Sequence, residues 1–122
     1  MSAPMNTIVP STNFVMQEFS KRCVGNAVIM TKVMASFLET FRGDYEQLRL
    51  LYAALDFDSL RRTAHRMRGA SGNVAAPRLH QLTADIESAA ASGNFSQVAS
   101  GLIALGEAWS DFETEMRAWT PG

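Results

Sequence analysis

His65 is one of two histidines in the 122-residue chain, and its neighbours are the residues whose types and spacing could carry chemistry. It lies in the run Arg61-Arg62-Thr63-Ala64-His65-Arg66-Met67-Arg68-Gly69-Ala70-Ser71-Gly72-Asn73-Val74. At about 100° per residue, Leu60, Thr63, Ala64, Met67, Ala70, Ser71 and Val74 share one side of a helix and are small or apolar enough to pack against other helices. His65, Arg68, Gly69 and Gly72 share the other side. A glycine inside a helix costs roughly 0.5–1 kcal/mol relative to alanine, so two of them four and seven residues after a histidine need a compensating reason. Missing side chains there leave the imidazole accessible. Arg61, Arg62 and Arg68 lie three or four residues from His65, near enough to surround whatever the ring carries. An exposed imidazole ringed by cations is suited to accept a phosphoryl group; the same residues would also suit a plain solvated helix face.

The run His65-Arg66-Met67-Arg68-Gly69-Ala70-Ser71, followed by Val74-Ala75-Ala76-Pro77-Arg78-Leu79, resembles the pattern of the histidine phosphotransfer (HPt) family, H-x-[LM]-[KR]-G-[SA]-[SA] and then G-A and a leucine. His65, Met67, Arg68, Gly69, Ala70, Ser71, Ala76 and Leu79 match it. Ala75 stands where the family most often has glycine, which bears on how the chain leaves the helix more than on the chemistry. The resemblance extends over nearly the whole chain in the order and approximate lengths of its helices. It implies that Nε2 of His65 is the phosphoacceptor, exchanging a phosphoryl group with the aspartate of a receiver domain in a two-component phosphorelay. The implied partners are receiver domains of response regulators or a hybrid sensor histidine kinase. The implied Mg²⁺ belongs to the receiver, so the chain needs no cofactor of its own. Arg68, Gly69, Arg61, Arg62 and Gly72 would assist. Phosphoryl transfer is mainly positioning and charge stabilisation, so a small carrier suffices when its partner supplies the rest. Cations near the ring disfavour a second positive charge on it and then stabilise the phosphate.

Other chemistries find no support. There is no Walker-type phosphate loop, and Arg66 follows His65 where the dimerisation helices of histidine kinases typically carry an acid, so the expectation is a phosphate carrier without autonomous kinase activity and not an enzyme. His65 and His80 fall on different helices with no cysteine partner, so no metal site is expected. No G-x-S-x-G elbow or defensible carboxylate pair is present, and the scattered acids read as solvated surface. A net charge of −1 and a pI near 6.1 give no electrostatic reason to expect nucleic acid or an anionic membrane. The single cysteine, Cys23, excludes an internal disulfide and points to a reducing, cytoplasmic setting. Met1 to Pro10 lacks the basic start and apolar run of a signal peptide, and no stretch approaches the roughly 18 apolar residues of a membrane span, so any anchor lies elsewhere. The alternative function is a non-phosphorylated HPt-like scaffold that binds receiver or kinase domains. Gly69 and Gly72 favour the carrier, because a scaffold gains nothing from weakened helix there.

The elements that must position His65 follow from periodicity. Hydrophobic residues make up 47% of the chain, which suits one compact domain. Residues 1–11, with two prolines, suggest a flexible arm, and residues 12–120 the bundle. Ser11 or Thr12 is expected to cap a short helix with the stripe Phe14, Val15, Phe19 and Cys23, ending near Gly25. From the expected cap Asn26, a stripe runs through Ala27, Met30, Met34, Phe37 or Leu38, and Phe41, then Tyr45, Leu48, Leu51 or Tyr52, and Leu55. That helix either continues through Gly43 or breaks there. The methionines read as core. Asp56 is the expected cap of the His65 helix, which should end near Val74 because Pro77 disfavours helix at Ala76 and opens the next helix. Leu79, Leu82, Thr83, Ile86 and Ala90 form the stripe of that next helix, stopping at Gly93 with Asn94 capping its successor. The last stripe, Phe95, Val98, Leu102, Leu105, Trp109, Phe112, Met116 and Trp119, is heptad-like, and in so short a chain it fits an intramolecular bundle and a monomer. The expected architecture is all-α, an up-down four-helix bundle with a short additional N-terminal helix.

Overall fold

The computed structural model describes residues 8–121 and is all-helical over them, with the order α1 (Met16–Arg22), α2 (Ala27–Ala53), α3 (Phe57–Asn73), α4 (Pro77–Ala91) and α5 (Phe95–Ala118). Helices α2 to α5 form the up-down four-helix bundle, and α1 is the short addition. Helix α2 runs through Gly43 without a break.

Local chemistry starts three of the four long helices. The side chains of Asn26, Asp56 and Asn94 each accept a hydrogen bond from a backbone N–H three residues on, at 3.0, 3.1 and 3.2 Å. Pro77 opens α4, where its missing N–H costs no intrahelical bond. The exits are Schellman-type turns. Leu55, Ala75 and Gly93 each take positive φ, of 59°, 58° and 73°, with the paired backbone bonds such a turn requires. Leu55 is therefore 72% exposed and not part of the buried stripe expected for α2, which ends at the partly buried Leu51 and Tyr52.

The expected start of α1 needs correction. Helix begins at Met16, with Val15 as an N-cap that makes no side-chain bond, so neither Ser11 nor Thr12 caps it. Tertiary pairing overrides local propensity here. The N–H of Val15 donates to the carbonyl of Ala75 at 2.9 Å, and the N–H of Arg78 donates to the carbonyl of Thr12 at 3.2 Å, strapping this segment across the α3–α4 turn. Phe14 and Val15 still reach the core, from a non-helical segment. Of the arm expected over residues 1–11, residues 1–7 lie outside the described residues, and Val9 packs against the core.

The core takes Met30, Met34, Phe37, Phe41 and Leu48 from α2, and Leu60, Ala64 and Met67 from α3. Leu79, Leu82 and Ile86 come from α4, and the stripe from Val98 to Met116 from α5. Phe37, Phe41, Trp109 and Phe112 stack or meet edge-on at 4.6–6.1 Å between centroids, joining α2 to α5. Two members of the expected α5 stripe behave otherwise. Phe95 is 51% exposed and stacks on Phe57 at 4.1 Å. Trp119 lies just past the helix in extended geometry, its indole N–H 3.1 Å from Met16 Sδ. Helix α5 lies close to α4 at Gly101, where a Cβ would come within 2.7 Å of Ile86 Cγ1.

Candidate functional site

His65 projects from the middle of α3, which the buried residues Leu60, Thr63, Ala64, Met67 and Ser71 anchor to the bundle. Its side chain is 61% exposed. Nδ1 lies 2.7 Å from Oε2 of Glu87 on α4, whose side chain is only 18% exposed. Arg68 places Nη2 3.3 Å from the same Nδ1 and Nη1 3.2 Å from Glu87 Oε1. One ring nitrogen cannot donate to a carboxylate and accept from a guanidinium through the same in-plane lone pair. The shorter, charge-assisted contact decides: Nδ1 carries the proton and donates it to Glu87. The ring is then the tautomer whose Nε2 holds the free lone pair.

Arg68 thus makes charge contact with Glu87 without an aligned bond. Oε1 of Glu87 is within ion-pairing reach of Nη1, yet it is buried and accepts no hydrogen bond. The arrangement is tight at Oε2 and loose at Oε1.

The remaining sequence-derived candidates divide. A Cβ on Gly69 would meet nothing within 4 Å, so the space one turn beyond His65 is open. Gly72 serves a neighbour other than His65, since a Cβ there would come within 3.3 Å of Nδ1 of His80. That Nδ1 bonds the carbonyl of Arg68 at 2.9 Å, and Gly72 provides the room. The carbonyl of Gly72 also accepts from Arg22 of α1. Arg61 and Arg62 bond Asp58, one turn toward the start of α3, and their donors hold the Asp58 carboxyl below its ordinary value, Arg61 first and Arg62 second. Of the three arginines expected around the imidazole, Arg68 is the one that contacts it. Arg66 turns to α2, where the largely buried Asp44 accepts from its Nη2 at 2.9 Å and raises the guanidinium pKa further.

Glu87 is the site residue that sequence reasoning passed over, because the acids read as solvated surface. Asp44 departs from that reading in the same way. Periodicity held a signal: Glu87 is four residues after the buried Thr83 and adjacent to the buried Ile86, so it flanks the inward face of α4. An acid at such a position calls for a partner.

Among the described residues no group of three or more His, Cys, Asp or Glu side chains is placed to hold a metal, and no helix is long and apolar enough to cross a membrane. A family model described as Hpt domain matches residues 32–118. No curated protein and no solved structure gives a significant match.

Proposed function

Because the chain belongs to the Hpt domain family, we propose that it relays a phosphoryl group between Nε2 of His65 and the aspartate of a response-regulator receiver domain. Hpt domains are phosphocarriers in two-component signalling, and the observation that carries the residue-level reading is the contact between His65 Nδ1 and Glu87. That contact presents the Nε2 lone pair on a ring that is 61% exposed on its helix, where a partner can approach. In the transfer, the lone pair forms the N–P bond while the aspartyl O–P bond breaks and its electrons remain on the receiver's carboxylate. The ring gains positive charge, which the Glu87 carboxylate faces and stabilises. In the reverse direction the N–P pair returns to Nε2 and a neutral imidazole leaves, its Nδ1 proton never having moved. In this reading Arg68, beside the ring, supplies positive charge for the phosphoryl oxygens, and the open space over Gly69 gives them room. Mg²⁺ held by the receiver supplies charge neutralisation at the phosphoryl oxygens.

The partners in this reading are receiver domains, free-standing or within a hybrid sensor kinase, and the place of action is the cytoplasm. A scaffolding role would leave the Glu87–His65–Arg68 arrangement without a purpose. The test is incubation with purified receivers from the same organism carrying labelled phosphate. The chain should acquire acid-labile, base-stable label, lose it in His65→Gln and keep it in His80→Gln. Label retained by His65→Gln would end the assignment.

A further inference from the structure

Asp58 draws Arg61 and Arg62 away from the imidazole, yet both stay on the helix face that a partner of His65 must cover. Four of the chain's eleven basic residues stand at positions 61, 62, 66 and 68, and no acid interrupts residues 61–68. At about 100° per residue, Arg61 and Arg68 fall to one side of His65 and Arg62 and Arg66 to the other, within about 10 Å of helix length. The ion pairs agree, since Arg68 meets Glu87 of α4 and Arg66 meets Asp44 of α2. His65 therefore stands inside a frame of four arginines. The side chains of Asp44 and Glu87 are 16% and 18% exposed, whereas those of Arg62 and Arg66 are 59% and 60% exposed, so the charge presented outward is mainly positive. Asp58 is the exposed acid at the edge of the frame.

What the face lacks decides how it holds a partner. None of the exposed large hydrophobic side chains among the described residues belongs to α3 or α4. An interface around His65 thus has no apolar anchor on these helices, and recognition falls to charge. We infer that the frame selects its partner electrostatically, with Arg61, Arg62 and Arg66 engaging carboxylates on the partner's surface beside the aspartate that exchanges phosphate. This rests on His65 being the phosphoacceptor of a receiver domain. A second copy of this chain does not fit the face, because it would set arginine against arginine. Guanidinium groups match carboxylates in bidentate geometry, and complementary charge at the rim of an interface chiefly speeds encounter. These three arginines are docking residues, distinct from Arg68, which touches the ring.

The experiment loads His65 with phosphoramidate, whose P–N bond breaks as ammonia leaves and the Nε2–P bond forms. Transfer to a purified receiver from the same organism is then followed over a range of receiver and salt concentrations, with thermal unfolding measured alongside. In that step the N–P electron pair returns to Nε2 while a carboxylate oxygen of the receiver bonds to phosphorus. At low ionic strength the second-order rate should fall about threefold in Arg62→Gln and about tenfold when Arg61→Gln is added, while the rate at saturating receiver stays that of the parent. Asp58→Asn removes a negative charge from the same face and should raise the second-order rate about threefold. Were the arginines only braces for Asp58, that variant would lose rate as they do. Lys32→Gln, which removes an exposed cation near the start of α2, should change little. Arg66 is left in place, because its removal would strand the largely buried Asp44. All differences should shrink between about 0.01 M and about 1 M salt, as the screening length falls from about 30 Å to about 3 Å. A lowered saturating rate in Arg62→Gln, a fall in Asp58→Asn, an equal loss in Lys32→Gln, or losses that persist at high salt each overturn the inference alone. Failure of phosphoramidate to label His65 in the parent chain, or of the labelled chain to pass phosphate to any receiver, overturns it together with the functional reading.

Discussion

At the scale of single residues, Gly69 should separate folding from the proposed chemistry. It is exposed in mid-α3, and a side chain there would meet no neighbour, so Gly69→Leu should leave stability unchanged or raise it by up to roughly 1 kcal/mol through helix propensity. The added side chain leans back toward the preceding turn, over His65 and the path of the phosphoryl group. Misplacing reacting atoms by about 1 Å can cost on the order of a hundredfold, so transfer from a receiver should slow strongly in the same variant. Thermal unfolding and a transfer time course on one preparation check both signs. Lower stability with normal transfer would mean that Gly69 serves packing. Gly72 is not equivalent, because its missing side chain makes room for His80.

Elements show where the chain accepts cost to make a connection. The α2–α3 turn places Leu55 at φ 59°, a left-handed conformation that costs a residue with a Cβ roughly 1–2 kcal/mol. At 72% exposure its side chain contributes little packing in return. Leu55→Gly should therefore raise stability by about 1 kcal/mol, read as a higher midpoint in urea with an unchanged slope. The same exchange at Ala75, at φ 58° and 5% exposed, gives up a buried methyl and should gain less. A lowered midpoint for Leu55→Gly would show that Leu55 makes contacts worth more than the strain. The turn at Ala75 also reverses the chain between α3 and α4, which brings Glu87 back opposite His65.

For the whole molecule, the heptad-like stripe of α5 is consumed internally. Val98, Leu102, Leu105, Trp109, Phe112 and Met116 are all buried within one chain, so the stripe leaves no seam for a second copy. Sedimentation at micromolar concentration should give a monomer. A stable dimer would instead direct attention to the apolar residues that remain exposed, among them Val24, Val28 and Ile103.

The sequence by itself determined the four long helices, the caps at Asn26, Asp56 and Asn94, the middle of each inward stripe and the candidate His65, because each depends on spacing within a few residues of chain. The extended run before Met16 and the surroundings of His65 were decided only by the tertiary structure. The first arises from backbone bonds to the distant Ala75 and Arg78, which no local propensity encodes. The second depends on Glu87, 22 positions away in sequence yet 2.7 Å away in space. Arginine spacing placed Arg61, Arg62 and Arg68 equally near the imidazole, but Asp58 engages the first two and leaves Arg68 to the ring. A charge can be counted from sequence, whereas the partner it satisfies depends on which helices pack together.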